Sequence, residues 1–283
     1  MGNRISPTIR RRRLAMELRR LRGELGIRAA DVAEELGCSM GKVSLMETGR
    51  VSITVSDTKA ILDIYGVQGE EREAFIELAR HAKQRGWWVG YNSTIHPWLQ
   101  QFVGLETETS VLRTYQSSLV PGLLQSEDYQ RALLAHEIKP WSEEEIAQFI
   151  ALRKDRQQIL ANADSRFWFI LDEAVLRRWI GTPEIMHAQL KMLLEVGGQA
   201  NVTIQILPFA AGAHSALSGA FQLLEFRHPA DQGAVYLEHL VGAHFLEEDH
   251  EVRAFRLAFE DLMASALSRT RSASLIREVM KEL

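Results

Sequence analysis

Residues 29–48 read AADVAEELGCSMGKVSLMET, and the order of small, apolar and turn residues in this stretch decides the first fold of the chain. Ala29 to Leu36 predicts a short helix with Val32, Ala33 and Leu36 on one side, closed by Gly37. Ser39 is a good N-cap for a following helix, Ser39 to Thr48, and Gly49 behind it is the residue best able to take a left-handed cap conformation. Two short helices that meet steeply across a tight turn need a small residue where they touch and a glycine where φ turns positive. Ala33 and Gly37 stand in those places, and Val32, Leu36, Cys38, Val43 and Met46 have the spacing to fill the wedge between the helices. This is the pattern of a helix-turn-helix.

Working outward, Leu14, Leu18, Leu21 and Leu25 recur at helical spacing over residues 10–25, with Arg10 to Arg13, Arg19, Arg20 and Arg22 on much of the remaining surface. Gly26 ends that helix. On the other side Ser56 is expected to cap a fourth helix reaching Tyr65, and a fifth runs from 70 to 84. Charge separates this end from the rest. Residues 1–50 carry 11 Lys and Arg against 6 Asp and Glu, whereas the whole chain is at −4. A basic head on an acidic body points to an anionic partner for the head alone, since phosphate neutralisation supplies most sequence-independent affinity for DNA. Glu47 is expected to pair with Arg19 or Arg22 rather than to act as an acid in catalysis.

Through LRRLRGELGIRAADVAEELGCSMGKVSLMETGR and the following SDTKAILDIYGV, the chain resembles the XRE family of DNA-binding domains over about residues 10–67. The resemblance implies that the third helix docks in the major groove, with Met40, Gly41, Lys42, Ser44 and Leu45 facing bases or nearby phosphates, and with Ser39, Thr48 and Arg50 positioning the DNA backbone. Ala29 stands where many relatives carry glutamine. The reading face also holds no Arg, Asn or Gln, the residues that make bidentate base contacts, so direct readout is expected to be modest. Met40 and Leu45 could meet thymine methyls and Lys42 a guanine edge or a phosphate, leaving shape and dimer spacing to carry much of the specificity.

Beyond Gly86 the pattern changes. Runs rich in β-branched and aromatic residues at 167–171, 202–207, 221–226 and 234–240 read as strands, among helical stretches at 127–136, 143–162, 173–196, 248–267 and 272–282. The fold class is therefore a mainly α, five-helix N-terminal domain followed by a mixed α+β domain. The expected boundaries are 10–68 for the DNA-binding domain, 69–90 for a connecting helix and 91–283 for a regulatory, dimerisation or partner-binding domain. SLVPGLLQSEDYQRALL at 118, ILDEAVLRRWIG at 170 and NVTIQILPFAAGAHSALSGAFQLLEF at 201 resemble a domain of unknown function common in actinobacterial regulators, placed directly after an XRE-type head. That resemblance implies a transcriptional regulator, often encoded beside a small partner protein, with no settled ligand and no catalytic residues.

Other chemistries leave little trace. Cys38 is the only cysteine, so no intramolecular disulfide can form, and no apolar run reaches membrane-spanning length. The basic N-terminal run is followed by no apolar segment of a secretory signal, and a cytoplasmic location is expected. The nine histidines show neither cysteine partners nor an H-E-x-x-H pattern, no glycine-rich phosphate loop is visible, and no metal or cofactor is expected. An enzymatic reading would rest on Asp172, Glu173, Glu225, Glu238 and His214 near strand ends. Asp172 and Glu173 read better as helix-capping acids, and AHSAL at 213–217 lacks the glycines of a nucleophile elbow. The six tryptophans, Trp87, Trp88, Trp98, Trp141, Trp168 and Trp179, could line a pocket or fill core. Two functions follow: a regulator that binds operator DNA as a homodimer, or an antitoxin-like or anti-regulator module that sequesters a small protein, with DNA binding secondary.

Overall fold

The computed structural model describes residues 7–49, 51–82, 86–91, 95–138, 140–228 and 231–283. The chain divides into two units, the first made of Met1–Gly90 with Val103–Glu108 and the second of Tyr91–Phe102 with Thr109–Leu283.

In the first unit the five expected helices are present: α1 (Pro7–Glu24), α2 (Ala29–Glu35), α3 (Met40–Glu47), α4 (Val55–Ile64) and α5 (Gly69–Ala82). Leu14, Leu18, Val32, Val43, Met46, Ile61 and Leu62 form one buried cluster, and the leucine spacing of α1 places its apolar stripe there. Two sequence expectations are corrected. The cap of α4 is Thr54 rather than Ser56. Thr54 Oγ1 accepts the Asp57 N–H at 3.0 Å while the Asp57 carboxylate accepts the Thr54 N–H at 3.1 Å. An acid three residues beyond a threonine satisfies two orphan donors at once, which Ser56 has no partner to match. Nor is α5 a connector. Phe75, Ile76 and Ala79 lie on one side of it and are buried in the same cluster as Leu14 and Met46, so this helix completes the core of the head.

The second unit contains α6 (Pro97–Glu106, whose last turn groups with the first unit), β1 (Val111–Gln116), α7 (Glu127–Leu134), α8 (Glu143–Gln157), β2 (Arg166–Asp172), α9 (Glu173–Arg177), α10 (Pro183–Val196), β3 (Val202–Leu207), β4 (Phe221–Glu225), β5 (Ala234–His239), β6 (Gly242–Leu246), α11 (Asp249–Ser265) and α12 (Arg269–Glu282). The strands form one sheet in the order β3-β2-β1-β4-β5-β6. Its first three strands are parallel and joined by helical crossovers, and the other three run antiparallel to their neighbours. Tyr115, Ile170, Leu207, Phe221, Leu223 and Val235 line one face, where Val252, Phe259 and Leu262 of α11 pack. On the opposite face Tyr236 stacks on Phe102 at 4.2 Å between centroids.

β1, β6 and α6 were not expected, and the helix expected over 173–196 is two helices. Thr182 caps α10 with Pro183 at its first turn. A proline there has no N–H to give an incoming helix and its fixed φ suits a helix start. In the middle of the sheet, Thr114 on β1 is fully buried and its Oγ1 has no hydrogen-bond partner among the described residues. A buried hydroxyl without a partner carries a desolvation cost that an isosteric methyl does not. Thr114→Val is expected to raise the stability of this unit by about 1 kcal/mol, seen as a higher urea midpoint with unchanged slope. A lower midpoint would mean that the hydroxyl has a partner.

Candidate nucleic-acid interface

The turn between α2 and α3 is built as its residues require. Gly37 has φ +60° with open space where a Cβ would stand, so backbone conformation, not crowding, calls for glycine there. The Cys38 N–H then donates to the Ala33 carbonyl at 2.9 Å, and Ser39 Oγ accepts the Lys42 N–H at 3.2 Å to cap α3. Val32, Ala33, Val43 and Met46 are buried between the helices, and Leu36 and Cys38 are half-buried against them. The wedge expected from the sequence is the wedge observed.

Burying Val43, Met46 and Glu47 fixes which side of α3 faces out. Met40 is 61% exposed and Leu45 40% exposed, and Ser39, Gly41, Lys42 and Ser44 share that outward surface. Six of the eight residues assigned from the sequence are thus brought together. Thr48 is not on this surface. It is half-buried at the C-terminal end of α3, where its hydroxyl donates to the Ser44 carbonyl at 2.9 Å. The same carbonyl also accepts the Thr48 N–H at 3.0 Å, so the hydroxyl proton is spent within the helix. Arg50 lies outside the described residues.

The orientation of α3 on α1 is held by an ion pair. Arg22 Nε and Nη2 donate to the two Glu47 oxygens at 2.6 and 2.9 Å, and Arg22 Nη1 donates to the Ile27 carbonyl at 3.0 Å. Of the two partners the sequence offers Glu47, Arg22 is the one used. Tyr65, buried in the same core cluster as Val43 and Met46, was not recognised from the sequence as a neighbour of this pair. Burial first, and the Glu47 charge second, push its phenol up to about 12 from an ordinary 10.0, with Arg22 opposing. The native state holds this proton more tightly than the unfolded chain, so the associated stability is complete below pH 10 and is lost as pH rises through 12. Between those values the head is expected to lose about 2 kcal/mol that Tyr65→Phe does not lose. Hydrogen exchange of head amides at pH 9.5 and 11.5 checks this, and an equal fall in both proteins would contradict it.

Not all basic residues of the head are available to an outside anion. Arg20 is paired with Glu17 and Glu24, and Arg28 with Asp31 at 2.5 Å. Lys42 is exposed on the first turn of α3 and forms no ion pair among the described residues. The positive end of the α3 dipole lies beneath it, so this end of the helix favours a negative charge.

In the second unit three of the four acidic residues near strand ends have structural partners. Asp172 accepts the Ala174 N–H at 2.8 Å as the cap of α9. Glu173 accepts from Arg177 and from the Phe209 N–H, and Glu225 accepts from Arg113 at 2.6 Å and Arg256 at 3.0 Å. Glu238 is exposed on β5. His214 Nε2 lies 3.4 Å from the Tyr115 hydroxyl, whose pKa is pushed up to about 12, mostly by burial and then by Asp172. Tyr115, His214 and Asp172 are thus neighbours, whereas Glu173 and Glu225 are engaged in ion pairs. Among the described residues no cluster of three or more His, Cys, Asp or Glu side chains could hold a metal ion. Among the described residues no helix is long and apolar enough to cross a membrane. The tryptophans are also scattered in environment: Trp88 is buried, Trp179 is 58% exposed, and Trp168 donates to Gln205 Oε1 at 2.7 Å.

Comparison with known proteins agrees with the two units. Residues 13–75 match a family described as a helix-turn-helix domain, and residues 99–278 match one described as Domain of unknown function (DUF5753). No curated protein and no solved structure matches the chain. With that second match covering well over half of its residues, the chain belongs to the DUF5753 family and carries a helix-turn-helix domain at its N-terminal end.

Proposed function

We propose that this protein is a cytoplasmic transcriptional regulator of the XRE type. It binds operator DNA as a homodimer through α3, and its DUF5753 unit responds to a partner protein or a ligand. The observation that carries the reading is the outward face of α3. Val43, Met46 and Glu47 anchor that helix from within, leaving Met40, Gly41, Lys42, Ser44 and Leu45 on a convex surface with one unpaired cation and no acid. A helix presented in this way fits a major groove, with methyl contacts to thymine and one cation for guanine or phosphate. No catalytic role is assigned to any residue.

Selection of binding sites from random-sequence duplexes tests the reading, followed by footprinting of the enriched site. An inverted repeat is expected, with half-site centres about 34 Å apart on one face of the duplex. A single enriched half-site would overturn the dimer, and no enrichment at all would overturn DNA binding.

A further inference from the structure

The sheet of the second unit has two edges, and they are finished differently. At β3 the outward backbone groups of Val202 and Ile206 are taken. The Ile206 N–H donates to Ser272 Oγ at 2.9 Å, the Ile206 carbonyl accepts the Leu267 N–H at 2.9 Å, and the Val202 carbonyl accepts from Arg269 Nη2 at 3.0 Å. At β6 no such cover is present among the described residues. The turn Leu240-Val241 closes on the pair His239↔Gly242, and a two-residue turn makes its closing pair a hydrogen-bonded one. Gly242, His244 and Leu246 therefore spend their backbone groups on β5, while the alternate residues Ala243 and Phe245 direct theirs away from the sheet. Neither makes a further hydrogen bond among the described residues. The usual guards of an open edge are also missing, since HLVGAHFL at 239–246 contains no proline, no lysine and no acidic residue. At the turn, Leu240 and Val241 are each 86% exposed.

We propose that β6 is the seam through which two copies of this chain join, antiparallel about a two-fold axis at His244, so that their sheets run on into each other. The occupant is a second copy because the strand is its own complement. In that register Ala243 of one copy faces Phe245 of the other, and the four outward N–H and four outward C=O groups answer one another. Each Phe245 ring, already 5.2 Å from Tyr236, meets a small alanine instead of a second ring. Charge agrees with this direction. The acidic run Glu247-Glu248-Asp249 leaves β6 beside the other copy's Val241, Leu240 and His239, which keeps the two acidic runs at opposite ends of the seam. This deepens the homodimer of the proposed function and rests on it for its purpose, namely holding two α3 helices on one duplex.

Light scattering on the full chain tests the seam, with two variants. Ala243→Pro removes only an outward-facing N–H, and His244→Lys sets two like charges at the axis. The unaltered chain is expected at twice its 32.1 kDa monomer mass and both variants at the monomer mass, with unchanged far-UV circular dichroism. Their affinity for a two-half-site operator should fall about 100-fold, as expected when the second contact ceases to be intramolecular, while affinity for a single half-site is unchanged. If Ala243→Pro misfolds, His244→Lys decides, because His244 is exposed. A monomeric parent, or variants that remain dimeric, would overturn the seam. Dimeric variants that still bind the operator sink the seam but leave the regulator standing. A β6-dependent dimer that binds no DNA keeps the seam and sinks the regulator.

Discussion

Glu47→Ala is expected to cost the helix-turn-helix unit about 3–5 kcal/mol, because it leaves the Arg22 guanidinium inside the fold without its counter-charge. Arg22 is 20% exposed and Glu47 8% exposed, and the pair is bidentate at 2.6 and 2.9 Å. An exposed pair of this kind would contribute at most about 1 kcal/mol. The larger figure follows from desolvation, since the surviving charge keeps its burial cost and loses the partner that offset it. Set against a total of roughly 5–15 kcal/mol for a domain, the loss leaves the head marginal at physiological temperature. Arg22→Ala should cost a similar amount by stranding the more deeply buried Glu47. The apolar double variant Arg22→Met with Glu47→Leu should recover most of the loss, because neither charge then has to be desolvated. Hydrogen exchange of amides in residues 13–75 of the full chain reads this out without requiring the two units to unfold together. A cost below 1 kcal/mol for Glu47→Ala would show that water reaches the pair.

How much of this was legible in the sequence differs between the two units, and contact range explains the difference. In the head the decisive residues act on neighbours. Ser39 caps a helix three residues ahead, Gly37 satisfies its own φ, and Val43 and Met46 repeat at helical spacing, so local pattern and final packing agree. The Arg22–Glu47 pair spans 25 residues, yet two charges on an apolar motif left few partners to choose from. Thr54 was missed for a local reason. Its Asp57 sits inside a run, Thr54-Val55-Ser56-Asp57, with two hydroxyl residues, and only the reciprocal bond separates them. In the second unit β1 was hidden because it lies between β2 and β4, partners 55 and 114 residues away when counted from Val111. Its polar Arg113 and Thr114 also weaken any apolar run, and Arg113 is tolerated there only because Glu225 meets it across the adjoining strand. β6 was hidden for the opposite reason. It has one partner strand and five residues, too few for alternation to register.

For the interface itself, Lys42→Ala combined with Arg50→Ala is expected to abolish detectable operator binding at moderate salt while leaving the head folded. Lys42 is the exposed, unpaired cation on the first turn of α3, and Arg50 is assigned to the phosphate backbone from its place in the motif. In a homodimer the two substitutions remove four cations. If all four meet phosphates, the slope of log affinity against log salt should flatten by about 3–4, since each neutralised phosphate contributes roughly 0.9. Affinity at physiological salt should then fall by on the order of 1,000-fold, enough to merge specific with non-specific binding. Met40→Ala and Leu45→Ala should behave differently. They remove apolar contacts to base edges, so they should narrow the gap between cognate and mismatched sites by about 1–3 kcal/mol each and leave the salt slope alone. That split separates a groove-docked α3 from a head that merely attracts DNA by its charge. Were the double variant to keep the parent's affinity and slope across a salt titration, the docking would be wrong, because no other unpaired cation on the outward face of α3 could take the place of Lys42.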